Sequence, residues 1–369
     1  MTTDRTWRIG IQTLLLTGLL ATPVWACNVP VFRYALEQWP PDYFRVTVAH
    51  GAALDDAQVA MLEPFERAEK AGPAPLNAWV LRAEAAVTAP RLELREPGAD
   101  ATSAPLWEAP LSAASLATLE RSPARVELAR RLLAGDSVVW LLLGGEDAAA
   151  DAEVAAAITP LLGRLQAAID LPELEAKDMD YLSETAPALE LRFSLLQVAR
   201  ADAAEDILRA QILRHAADTL SPEELAGPLL VPVFGRGRAL SVMPVKMPLE
   251  VLRVEDMAMF MCGPCSCQVK EENPGFDLLL AAGWEDLLKG RFTLAEAIPQ
   301  LASPTQVVPE AEVMSRLTAE SDTTAADSTI RAATADTSVI AKRVIIALAG
   351  FGLAVLLGSV WLRTRGRAS

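Results

Sequence analysis

The residues best suited to chemistry sit together in Cys262-Gly263-Pro264-Cys265-Ser266-Cys267, preceded by Met257, Met259 and Met261. This stretch holds three of the four cysteines and three of the nine methionines of the chain. Two cysteines separated by two residues can close a small disulfide ring. When the first of them opens a helix, the positive helix end lowers its pKa and leaves a thiolate able to attack. In that chemistry Cys262 is the nucleophile and Cys265 the resolving thiol. Met257, Met261, Cys262, Cys265 and Cys267 also form an all-sulfur donor set of the kind that selects Cu(I). Met257 and Met261 lie one helical turn apart, a spacing that ordinary core packing produces as well. A third use of the same sulfur is structural. In an oxidising compartment Cys27, Cys262, Cys265 and Cys267 allow two disulfides in three pairings, and one bridge to Cys27 would staple the start of the body to this cluster. Structural pairing is the first reading, thiol–disulfide exchange the second and soft-metal binding the third.

Composition removes several other functions. The chain of 369 residues carries a formal net charge of −15 and a pI near 4.7, which opposes nucleic-acid binding because phosphates demand clustered Lys and Arg. Its two histidines, His50 and His215, leave little for imidazole-based zinc sites or catalytic triads. Gly235-Arg236-Gly237-Arg238 lacks the Gly-Lys-Ser/Thr ending of a phosphate loop and reads as a hairpin turn. No acid pair or serine–histidine pairing stands out, and no cofactor is expected.

Both ends predict a membrane setting. Residues 1–26 read as a secretory signal, with Arg5 and Arg8 before the apolar Ile11–Ala21 and Val24-Trp25-Ala26 at the cleavage site. Cys27 then becomes the first mature residue; Trp25 is bulkier than a lipoprotein signal prefers, so a pairable cysteine is expected in place of an acylated one. Near the other end, residues 344–362 are 19 residues without a charge, bracketed by Lys342 and Arg343 and by Arg363, Arg365 and Arg367. Such a helix spans roughly 28 Å, close to the hydrocarbon thickness. The predicted order is therefore a body outside the cytoplasm, a polar linker over 303–341 rich in Ala, Ser, Thr and Asp, a single transmembrane helix over 342–363 and a basic cytoplasmic tail over 364–369. Gly350, Ala354 and Gly358 fall on one face of the predicted span, where a second helix could pack.

The elements that must carry the sulfur cluster follow from periodicity. Between Cys27 and residue 170, strands are expected over Tyr43–Ala49, Asn77–Ala85, Arg91–Arg95 and Ser137–Leu143. Helices are expected over Pro30–Gln38, around Leu54–Leu62, from Ser122-Pro123 to Gly135 and over Ala148–Ile169. Trp79, Trp107, Trp140 and Trp284 read as core. A second unit over 171–302 runs strand (Leu189–Ala199), helix (Ala201–Ala217), strand (Pro228–Phe234), turn, strand (Arg238–Met243) and helix (Val254–Met261), with Phe276–Ala282 as one more buried strand. The fold class is α/β.

That order, together with Cys262-Gly263-Pro264-Cys265, resembles the thioredoxin superfamily. The resemblance implies one or two β-α-β units, each joined to a hairpin and closing helix, with Cys262 and Cys265 as the redox pair. The chain departs from the family in placing the cysteines after the hairpin, with Met261 where an aromatic residue usually stands and with Pro228 and Pro232 ahead of the motif. The expected protein is thus a single-pass protein of a bacterial-type membrane. Its body has a non-catalytic interaction or scaffold role in a membrane complex, with thiol–disulfide exchange as the alternative.

Overall fold

Val138-Val-Trp-Leu-Leu-Leu143 has no polar residue, and all six side chains are buried, as only a strand covered on both faces permits. The computed structural model in which this strand sits describes residues 27–66, 75–265, 269–291 and 293. The expected signal, linker, transmembrane span and tail lie outside the described residues, as does Cys267. No helix among the described residues is long and apolar enough to cross a membrane.

The fold is mixed α/β with two mixed sheets. In chain order, the first sheet is built from β1 (Phe44–His50), β2 (Ala78–Glu84), β3 (Arg91–Arg95) and β4 (Trp107–Pro110), arranged β2-β1-β3-β4. β1 and β2 run parallel, joined by a crossover that contains helix α2 (Asp56–Glu66), while β3 and β4 are antiparallel additions. Before it, α1 (Val31–Gln38) ends at Trp39 ahead of Pro40-Pro41, which cannot continue a helix. After it come α3 (Ala113–Glu120) and α4 (Pro123–Leu133), the latter with Pro123 at its first turn.

The second sheet contains β5 (Val138–Leu143), β6 (Phe193–Val198), β7 (Leu229–Phe234), β8 (Arg238–Ala239), β9 (Met243–Pro244) and β10 (Phe276–Asp277). Its order is β10-β8-β7-β5-β6, with β9 beside β7. β5 pairs parallel with β6 across the crossover helix α5 (Ala148–Ala168) and antiparallel with β7. The central strand therefore comes from before residue 170 and its partners from after it. Helices α6 (Asp206–Ala217), α7 (Pro222–Ala226), α8 (Val251–Cys262) and α9 (Trp284–Leu288) complete the body.

The period of two along β5 sorts the core. Val138, Trp140 and Leu142 pack with α1, α5 and α8, whereas Val139, Leu141 and Leu143 pack with α4 and α6. Each such fully buried aliphatic side chain contributes about 1.5–3 kcal/mol by burial alone. A third core lies under the first sheet, from Phe44, Val46, Val48, Leu92 and Leu94 to Leu62, Leu116 and Leu119.

Residues 276–282, expected as a strand, form a ladder only at Phe276–Asp277 and a bridge from Ala281 to Leu76. They still alternate: Leu278 and Leu280 face the core beside β7, while Leu279 and Ala281 face the core under the first sheet. Asn77 substitutes for a missing strand partner. Its side-chain amide donates to the Leu278 carbonyl at 3.0 Å, and its Oδ1 accepts the Leu280 amide at 2.8 Å. Gln211 Oε1 accepts the Leu279 amide at 3.2 Å, so backbone groups between the two cores are paired by side chains.

Candidate functional site

Helix α8 carries the sulfur cluster into the body. Val254, Ala258, Met261 and Cys262 fall at i, i+4, i+7 and i+8 and form its buried face. Gly263 leaves the helix in an extended conformation and Pro264 cannot extend it, so Cys262 is the last helical residue. The thiol thus sits at the negative end of a helix, the reverse of the placement that makes a cysteine nucleophilic. Cys262 is 2% exposed, and burial pushes its pKa up to about 12.

Beyond the helix, Gly263-Pro264-Cys265 runs antiparallel to Val29-Pro30-Val31. Pro30 and Pro264 face each other, and the flanking residues make the hydrogen bonds: Val31 donates to the Gly263 carbonyl at 3.0 Å and Cys265 to the Val29 carbonyl at 2.9 Å. The two prolines occupy the one opposed pair in this short ladder that needs no N–H. This strap brings Cys27 and Cys265, 4% and 1% exposed, into the same apolar core.

Tyr34 and Asp178 complete the surroundings of these two sulfurs. Burial raises the Tyr34 pKa to about 12, with Cys265, Tyr181 and Cys27 adding to the effect, so its hydroxyl remains neutral. Asp178 is fully buried. Burial works to raise its pKa, but the Glu175 and Asn28 amides outweigh that and hold it below the usual carboxylate value. Those amides donate to Asp178 at 2.8 and 3.1 Å, and the Cys27 thiol bonds the same carboxylate. The Cys27 pKa is itself raised, chiefly by burial.

The five proposed metal ligands have different surroundings. Met261 is fully buried, Met257 packs half-buried against the core with its sulfur 3.4 Å from Ser241 Oγ, and Cys262 and Cys265 lie at opposite ends of the Gly263-Pro264 exit. Cys267 lies outside the described residues. Among the described residues no group of three His, Cys, Asp or Glu side chains is arranged to hold a metal ion.

A second feature lies on the outer face of the first sheet. Tyr43 and Trp79 stack with ring centroids 4.7 Å apart, and together with Leu81, Arg45, Glu96 and Gly98 they line an open groove of about 420 Å³. Trp79 corrects the expectation that it belongs to the core. Ala78 and Val80 take the inner face of β2, so the intervening Trp79 points outward and is 48% exposed. Of the other tryptophans expected in the core, Trp140 and Trp284 are buried and Trp107 is half-buried.

Among the described residues, neither histidine enters a ligand cluster. His215 Nε2 lies 3.1 Å from Glu96 and its ring stacks on Phe276; His50 Nδ1 lies 3.1 Å from the Ala52 carbonyl. Sequence reasoning missed Tyr34, Tyr181 and Asp178, because nothing in a local pattern relates them to Cys27 or Cys265. Comparison of the chain with protein-family models, curated proteins and solved structures finds no match to any of them.

Proposed function

We propose that this chain is a membrane-tethered extracytoplasmic protein whose body contacts or positions a partner protein and does not catalyse thiol–disulfide exchange. One observation carries this reading: Cys262 closes the C-terminal end of α8, is 2% exposed and has a pKa pushed up to about 12 by burial. An attacking thiol needs the opposite on each count.

The second sheet supports a thioredoxin-like assignment for its part of the body. Strands run β6-β5-β7-β8, with β5 and β6 parallel across α5, β7 and β8 antiparallel, and α8 following. In the family it resembles, the redox cysteines open the helix after the first core strand. The corresponding junction here is Gly144-Gly145-Glu146-Asp147, which contains no sulfur. Asp147 uses its carboxylate to cap α5, and Gly145 donates to Asp151 at 2.7 Å, so this junction is a helix cap.

The tether rests on the uncharged segment 344–362 and its basic flanks. The contact role is supported by Tyr43, Trp79 and Leu81, large apolar side chains left exposed together on the first sheet. The deciding measurement is reduction of a small disulfide substrate by the full-length protein supplied with a dithiol reductant. The expected rate equals that of the protein-free control. A rate enhancement abolished by Cys262→Ser and by Cys265→Ser would establish the oxidoreductase reading instead.

A further inference from the structure

The sulfur cluster contains a specific pairing. Val29 lies between the two cysteines: its carbonyl accepts the Cys265 amide at 2.9 Å, and Cys27 stands two residues before it. Val29 is thus the residue that faces Cys265 across the strap, and both cysteine side chains are thiols in the structure. Both cysteines are buried in one apolar core, and both act on the Tyr34 hydroxyl. Cys262, by contrast, belongs to the last turn of α8, on the far side of the Pro264 exit.

We propose that Cys27 and Cys265 form a structural disulfide that locks the start of the body to the end of α8, and that the Cys27 sulfur consequently carries no lipid. The bridge rests on the non-catalytic reading of the sulfur cluster given above. It closes a loop of more than two hundred residues. It forms by exchange with a disulfide donor of the export compartment. Two S–H bonds of the protein break and one S–S bond forms, and both electrons and both protons pass to the donor, which leaves as two thiols. The burial of both sulfurs then shields the bond from reductants. A thioether-linked acyl group would demand that the Cys27 sulfur leave this core, where the residue is 4% exposed.

The test is disulfide mapping of the exported full-length protein, blocked with a maleimide at lysis and digested with trypsin without reduction. The expected product joins the peptide ending at Arg33 to the peptide covering residues 254–270, and fragmentation locates the junction at Cys265. Cys267→Ser retains this cross-linked product in full, and Cys265→Ser abolishes it. The mapping of the unsubstituted chain stands by itself should a variant fail to accumulate. A junction at Cys267, a maleimide adduct on Cys27 or a lipid thioether on Cys27 overturns the pairing while leaving the non-catalytic reading intact. A Cys262–Cys265 bond together with turnover of a disulfide substrate overturns both.

Discussion

The Val29 carbonyl accepts the Cys265 amide at 2.9 Å, so the first described residues of the chain and the exit of α8 form one antiparallel strap. Two prolines at the centre of this strap contribute no donor, and its own hydrogen bonding is correspondingly short. A covalent link at its edge would supply what the ladder does not. Reduction of the exported protein is therefore expected to lower its unfolding free energy by roughly 3–5 kcal/mol, the range for closing a long loop. Denaturant midpoints with and without reductant measure this. Cys27→Ser should show the same loss and no further response to reductant.

Cys262 is expected to be silent toward thiol reagents in the native protein. Its burial and raised pKa leave a negligible thiolate fraction at neutral pH. Maleimide labelling at pH 7.5, followed by peptide mapping, should modify Cys262 only after denaturation. Rapid native labelling at this position would contradict the placement of the thiol in the core.

Much of the scaffold is legible in the sequence because local patterns are read locally. The apolar run ending at Leu143 and the Ser122-Pro123 helix start each depend on neighbours within a few residues. Pairing is a different matter. Nothing local says that β5 takes β6 on one edge and β7 on the other, or that Asn77 completes the backbone bonding of Leu278 and Leu280. The sulfur site follows the same division. Cys27 and the 262–265 motif stand out by residue type, and the expected helix over Val254–Met261 already puts the motif at a helix end, but the burial of Cys262 and the strap that brings Cys27 and Cys265 into one core are tertiary. Trp79 is read wrongly from composition, since aromatic residues usually pack inside; the register of β2 alone turns it outward.

Asp178 should give the protein a specific acid sensitivity. Its folded pKa lies below the ordinary 3.8, so its stabilising contribution is present above that value and is lost as pH falls through the folded pKa. Asp178→Asn replaces one carboxylate acceptor with an amide donor opposite the Glu175 or Asn28 amide, at a cost of about 1–3 kcal/mol near neutral pH. The gap between the two proteins should narrow progressively as pH drops below about 4. Parallel denaturant titrations at several pH values measure it, and a gap that widens on acidification would reject this role for the carboxylate.

Arg125 provides the most severe expected loss of stability. It is 2% exposed, and burial lowers its pKa to about 10, which still leaves it charged at neutral pH. Its guanidinium donates to the Leu119 and Leu279 carbonyls at 3.1 and 3.2 Å, to the Thr118 carbonyl and to Ser122 Oγ at 3.0 Å. Ser122 in turn donates to Glu205, whose carboxylate also accepts the Ala124 amide, and burial raises the Glu205 pKa. One side chain thus ties the end of α3 to the 278–282 segment and offsets a buried carboxylate. Arg125→Met keeps much of the volume but leaves these carbonyls and Glu205 without their cation, an expected cost of about 3–5 kcal/mol. Adding Glu205→Gln to this variant removes the stranded charge and should restore part of the loss. Because Glu205 has a raised folded pKa in the intact protein, Glu205→Gln alone should change stability least below the ordinary carboxylate range. Relative to wild type it should gain as pH rises through the folded Glu205 pKa. A double variant no more stable than Arg125→Met would show that the carbonyl contacts, and not the buried charge, account for the whole effect of the arginine.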